Sequence, residues 1–166
     1  MWARAQRRSA GVPEDPTSGE AARRVGLILL GRRDYPCAEL LAKLIEKGYT
    51  CTAAAEAVAA LLEERLLNDA RYLENFIRAH SARGRGPLRI RKDLQGRGFK
   101  AEEIEPALAS GPDFLSICRT LRTRKFGAGP PASWAEKGRQ ARFLQYRGFS
   151  SDHIQIVTGQ DPDITE

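Results

Sequence analysis

The residues that most often carry chemistry are scarce in this chain: two histidines, three cysteines and one methionine among 166 residues. Cys37, Cys51 and Cys118 are odd in number and lack CxxC spacing, which argues against both a disulfide framework and a zinc site. They read as small thiols in a reducing compartment. His80 has no acidic residue within four positions, and His153 follows Asp152 on an expected helix surface; both read as surface histidines outside any triad. Long apolar runs are also missing. Leu27 to Leu30 falls far short of the roughly 20 apolar residues of a membrane helix, and the N-terminus carries no secretory h-region. The default compartment is the cytoplasm, and no membrane partner is expected. With no metal set, nucleophile and base pair or phosphate-cradling loop, neither a cofactor nor an enzymatic activity is expected.

What the chain does contain is a repeat. Lys47-Gly48-Tyr49, Arg97-Gly98-Phe99 and Arg147-Gly148-Phe149 are each a cation, a glycine and an aromatic, spaced by 50 residues. The same offset superposes Leu44, Leu94 and Leu144, then Ala54, Ile104 and Ile154, and more weakly Leu40 with Ile90 and Val58 with Leu108. Leu40, Leu41, Leu44 and Ile45 lie on one face of a helix. A glycine just past such a stripe suits the left-handed position that ends many helices, and the aromatic after it can fold back on the last turn. Thr50 and Ser150 offer side-chain oxygens to the next helix, a device that Lys100 lacks.

A unit of this length holds three short helices, so the chain reads as all-α: three tandem three-helix repeats, 21–67, 68–112 and 113–166, the last with a short C-terminal tail. Pro106 marks the sixth helix as short, kinked or started late. Residues 1–20 differ in kind, with clustered arginines, Gly, Pro, Ser and Thr, and read as a disordered tail. Residues 1–13 are acid-free, as in an organellar transit peptide, but Glu14 and Asp15 follow at once.

Charge alternates along the chain. Residues 78–100 carry Arg78, Arg83, Arg85, Arg89, Arg91, Lys92, Arg97 and Lys100 against Asp93 alone. After the acids Glu102, Glu103, Glu105 and Asp113, residues 115–147 carry Arg119, Arg122, Arg124, Lys125, Lys137, Arg139, Arg142 and Arg147 against Glu136. In a stacked repeat, segments one period apart share a side, so the two blocks are expected to merge into one phosphate-tracking stripe. Its candidate contact residues are Arg83, Arg85, Arg89, Arg91, Lys92, Arg97, Arg122, Lys125, Arg139, Arg142 and Arg147. The Gly84-Arg85-Gly86-Pro87 turn adds backbone amides beside arginines, a weak signal by itself. The competing reading of these cations is a solvated surface partly paired with neighbouring acids.

Three stretches, Leu66-Leu67-Asn68-Asp69-Ala70-Arg71-Tyr72, Gly84-Arg85-Gly86-Pro87 with Ile90, and Phe143-Leu144-Gln145-Tyr146-Arg147-Gly148-Phe149 with Ile154, resemble in order and spacing the RecX family of bacterial recombination regulators. The resemblance covers about residues 21–158, with two departures: the family usually has Gly where Arg65 stands and Asp where Asn68 stands. It implies a curved, elongated, monomeric array that binds the RecA recombinase filament on single-stranded DNA. Duplex DNA is a second expected partner. Lying along the filament groove, such a protein restrains ATP turnover, strand exchange and coprotease activity, all within DNA repair and the SOS response. Asp69, Arg71 and Tyr72 would then either contact the partner or serve the junction between repeats, Asp69 capping the fourth helix. A rival reading is a free-standing helix-turn-helix module that places Arg89, Lys92 and Arg97 in a DNA groove without a recombinase.

Overall fold

In a computed structural model of the protein, residues 13–159 are described. Most of the expected disordered tail, and the transit-peptide alternative, therefore lie outside the described residues. These contain nine helices and no strand: α1 Gly19–Leu30, α2 Cys37–Glu46, α3 Cys51–Glu63, α4 Asp69–Ala82, α5 Pro87–Gln95, α6 Ala101–Ala109, α7 Phe114–Phe126, α8 Trp134–Tyr146 and α9 Ser151–Thr158. The all-α tandem repeat is thus the observed architecture. It divides into two compact units, one ending at Tyr72 and the other starting at Leu73, so that the division falls inside α4.

The 50-residue period is built on one helix ending made three times. After α2, the amide of Gly48 donates to Ile45 O (2.9 Å) and that of Tyr49 to Leu44 O (3.2 Å). Gly98 and Phe99 repeat the pair on Gln95 O (3.0 Å) and Leu94 O (3.3 Å), and Gly148 and Phe149 on Gln145 O (2.9 Å) and Leu144 O (3.2 Å). This is the Schellman arrangement, which satisfies the last helical carbonyls only if the residue between adopts a left-handed conformation. Gly48, Gly98 and Gly148 do so, with φ of 100°, 93° and 89°. Tyr49, Phe99 and Phe149 fold into the core, and Leu44, Leu94 and Leu144 are each 0% exposed. A fourth ending, after α3, uses Arg65 at φ 57°, where a glycine would sit without strain.

Caps start the following helices as the hydroxyls suggest. Thr50 Oγ1 accepts from Ala53 N, and Ser150 Oγ from His153 N. At Lys100, which has no side-chain acceptor, Glu103 reaches back and accepts from the Lys100 amide (2.8 Å), half of a capping box. Pro106 lies inside α6, which is only nine residues long. Proline lacks the N–H that would bond four residues back, yet α6 continues three residues past it, and its length equals that of α5, which has no interior proline.

In the first unit α1 and α2 both pack on α3, around Ala22, Leu40, Leu44, Ala54, Val58 and Leu61. In the second, α5 packs on α6, and α7 and α8 pack on α9. Its cores hold Ile77, Ile90, Leu94 and Ile104, and then Cys118, Leu144, Phe149, Ile154 and Val157. The period counts two repeats here, yet they form one compact unit because backbone joins them. Gly86 N donates to Arg147 O (2.8 Å) and Leu88 N to Gly148 O (3.0 Å).

The first repeat begins before Ala21. Helix α1 starts at Gly19, Ser18 Oγ accepts from Ala21 N, and Pro16 O accepts from Thr50 N (2.9 Å). A chain starting at Ala21 is expected to be about 1 kcal/mol less stable than one starting at Pro13, through the missing cap. Urea unfolding of the two truncations checks this, and equal midpoints would show that the Ser18 cap contributes nothing.

Candidate nucleic-acid interface

The join between α5 and the α8 ending creates a groove. Gly86 caps α5 in extended conformation and Pro87 opens it, a position where proline's missing N–H costs nothing. A Cβ at Gly86 would lie 2.3 Å from Gly148 C and O, so only glycine permits this approach. Arg85 and Arg89 flank it on one side, and Phe143, Tyr146 and Arg147 line the other, around a cavity of about 410 Å³.

Asp93 organises two of these cations. Its carboxylate accepts from Arg85 Nη1 at 2.7 Å and pairs with Arg89 Nε at 3.4 Å. Arg147 lies with its guanidinium carbon 5.5 Å from the Phe143 ring centre, and Lys125 Nζ is 4.4 Å from the same ring. One carboxylate against Arg85, Arg89 and Arg147 leaves the groove positive. Tyr146 stands at its edge with 80% of its surface exposed.

The turn before α5 does not offer the free amides suggested by its sequence. Gly84 N donates to Ser81 O (2.8 Å), Arg85 N to His80 O (3.2 Å) and Gly86 N to Arg147 O. The arginine side chains, not the GxG backbone, are what this turn presents.

The remaining candidates separate into three groups. Lys92, Arg139, Arg142 and Arg83 are exposed, and Arg97 lies over Phe76 at 5.1 Å. Arg91 is already paired: its Nε and Nη2 donate to the two carboxylate oxygens of Glu105 at 2.5 and 2.8 Å, which holds the Glu105 carboxyl below its ordinary range. Arg122 is a correction. It is 5% exposed, and its guanidinium donates to Gln140 Oε1 (2.9 Å) and to the Gly129 carbonyl. It is an internal tie, not a surface contact. Gln140 occupies the place that Leu40 and Ile90 hold in the earlier helices, and it is 1% exposed where they are 0%. An amide at that position requires a buried partner, and Arg122 is that partner. The period contained this signal.

Asp69 and its neighbours also require a correction. Asn68 Oδ1, not Asp69, caps α4 by accepting from Arg71 N (2.9 Å). Asp69 Oδ1 instead accepts from Cys37 N (2.8 Å), the first amide of α2, where a carboxylate also suits the helix dipole. Arg71 donates to Leu66 O (3.3 Å), and Tyr72 is 8% exposed, which removes its ring from the surface. Asp69 and Tyr72 therefore serve the fold.

Neither histidine is an ordinary surface residue. His80 stacks on Phe76 with ring centres 3.9 Å apart, and His153 meets Phe149 edge-on at 6.3 Å. Burial, followed by the charges of Arg85 and Arg83, holds His80 below its usual pKa. Burial pushes the Cys118 thiol up to about 11, leaving it protonated and unreactive. Among the described residues no His, Cys, Asp and Glu group has metal-binding geometry, and no helix is long and apolar enough to cross a membrane.

Comparison with known proteins places this architecture. Residues 68–108 match the second three-helix domain of RecX, and residues 113–158 match the third. The regulatory protein RecX of Halorhodospira halophila is 40% identical over 145 residues, covering 87% of this chain and 90% of that protein. The regulatory protein RecX of Pseudomonas savastanoi pv. phaseolicola is 39% identical, covering 86% and 94%. The crystal structure of RecX from Lactobacillus salivarius superposes with a TM-score of 0.73 at 21% identity, covering 84% of this chain and 93% of that one. With sequence shared along most of its length and the same helical architecture, the chain belongs to the RecX family of regulatory proteins.

Proposed function

We propose that this protein regulates a RecA-type recombinase by binding its filament on single-stranded DNA and restraining ATP turnover, strand exchange and coprotease activity. Family membership supports a regulatory role. The observation that carries the reading to this chain is the positive groove between α5 and α8, where Arg85, Arg89 and Arg147 surround an open cavity. Such a surface suits a phosphate-rich partner. A regulator of this kind needs no chemistry of its own. It shifts a filament between extending and disassembling states only through different affinity for the two.

The exposed cations Lys92, Arg139 and Arg142 extend the proposed contact surface, and the protein is read as acting as a cytoplasmic monomer. The test is ATP hydrolysis by a cognate recombinase on single-stranded DNA with this protein titrated in. Turnover is expected to fall at protein concentrations too low to coat the DNA. Inhibition only at DNA-coating concentrations would favour the free-standing nucleic-acid module, and unchanged turnover would overturn the regulatory reading.

A further inference from the structure

We infer that the groove between α5 and α8 is a single-strand site in which one nucleobase stacks on Tyr146 while Arg85, Arg89 and Arg147 hold the flanking phosphates. The inference deepens the nucleic-acid side of the proposed function by assigning it a place, a mode and a strand preference.

Tyr146 has no packing role to explain it. The helix ending that follows it is repeated three times in the same geometry, which makes Glu46, Gly96 and Tyr146 equivalent positions, and all three are solvent-facing. The fold accepts a carboxylate or no side chain at all there. In the third copy it places a large ring that is 80% exposed, the most exposed large hydrophobic side chain among the described residues. An aromatic face left in water at the edge of a cationic groove is what single-stranded nucleic acid uses: bases stack on the ring irrespective of sequence while cations follow the backbone.

The groove suits this occupant better than an acidic protein surface. Aromatic anchors at protein interfaces work inside apolar, well-packed surroundings. The residues around Tyr146 are polar: Arg142, Gln145 and Arg147 on its own helix and ending, with Arg85 and Arg89 across the cavity. The apolar side chain that shares the groove is Phe143, and its ring already carries Lys125 and Arg147. The acid that pairs with these arginines, Asp93, is half-buried between Arg85 and Arg89. It fixes two guanidiniums in place without cancelling the charge of three. Duplex DNA can satisfy the arginines but keeps its bases stacked on each other, so Tyr146 adds nothing to duplex binding.

The experiment is fluorescence anisotropy of the full chain with a labelled oligothymidylate and with a matched duplex, over a series of salt concentrations and without recombinase. Tyr146→Ala is expected to weaken single-strand binding about fivefold to a hundredfold, leave duplex binding unchanged and keep wild-type helicity. Tyr146→Phe should retain most of the affinity. Arg85→Glu combined with Arg89→Glu should weaken both strands and lower the salt slope by about 0.7 for each single-strand phosphate that is no longer neutralised. Equal single-strand binding by wild type and Tyr146→Ala would overturn the inference. So would a defect in Tyr146→Ala that appears only with recombinase-coated filaments, since that would make the groove a protein-binding surface. ATP turnover separates the two readings. If wild-type protein fails to slow the recombinase while Tyr146 governs oligothymidylate binding, the regulatory reading falls and this site stands; the converse result leaves regulation standing and removes the site.

Discussion

Leu94→Ala is expected to destabilise the second unit by about 2–5 kcal/mol, the range found when a fully buried leucine is truncated and the cavity only partly collapses. Leu94 is 0% exposed, and its carbonyl accepts the amide of Phe99 in the α5 ending. Its side chain is therefore fixed in the core directly before the turn that defines the repeat. Leu144→Ala should act alike in the same unit and Leu44→Ala in the first, because both are also 0% exposed. Leu88→Ala is the matched control. Leu88 is 46% exposed, so its change should stay within about 0.5 kcal/mol of wild type. Urea unfolding followed by circular dichroism measures all four. A destabilisation below about 1 kcal/mol at Leu94, under the range for a filled core site, would mean that the period marks a surface pattern and not a shared core.

The parts of this fold that were legible in the sequence are those fixed by local geometry. A cation, a glycine and an aromatic after an apolar stripe specify a Schellman ending, because a left-handed glycine turns the amide after it back to the last carbonyls beside its own. The three copies at Gly48, Gly98 and Gly148 follow from that rule alone. Hydroxyl caps at Thr50 and Ser150 were legible for the same reason. Asp69 was not, since its acceptor role is toward Cys37 N, far away in sequence and on a different helix.

Charge was the least legible property because an ion pair depends on which helices pack together. Arg91 lies in a strongly basic block, yet its partner Glu105 comes from the acidic segment that follows, and the packing of α5 on α6 brings them together. Arg122 shows a different failure. Its neighbours in sequence are basic, but what decides its place is Gln140 at a position that is leucine or isoleucine in the other repeats. Reading the offset for exceptions, and not only for matches, identifies both Gln140 as a buried amide and Tyr146 as an aromatic with no packing duty.

Gly86→Ala should be among the most damaging substitutions in the second unit, and its cause is purely steric. Gly86 has φ −80° and ψ 167°, extended backbone that alanine adopts without strain. The added Cβ would nevertheless lie 2.3 Å from Gly148 C and O and 2.5 Å from Phe149 N. These are backbone atoms, so no rotamer change relieves the overlap. The join must open, breaking the bonds from Gly86 N to Arg147 O and from Leu88 N to Gly148 O. Overpacking alone costs about 1–3 kcal/mol, and each amide left unbonded roughly 1–3 kcal/mol more, so a total of at least about 3 kcal/mol is expected. Gly96→Ala is the contrast. Gly96 has φ −63°, and its Cβ would meet Lys92 O at an ordinary 3.5 Å. Alanine narrows the range of unfolded conformations, so that variant should be neutral or more stable by about 0.4–1 kcal/mol. Urea unfolding gives the energies, and hydrogen exchange at the Leu88 amide reports the join itself. Arg85 and Arg147 each precede one of the two apposed glycines, so opening the join also parts the two sides of the groove. Gly86→Ala should therefore lose oligothymidylate affinity even at temperatures where it stays folded. A Gly86→Ala protein with wild-type stability and slow exchange at Leu88 would show that the two repeats are not held together here.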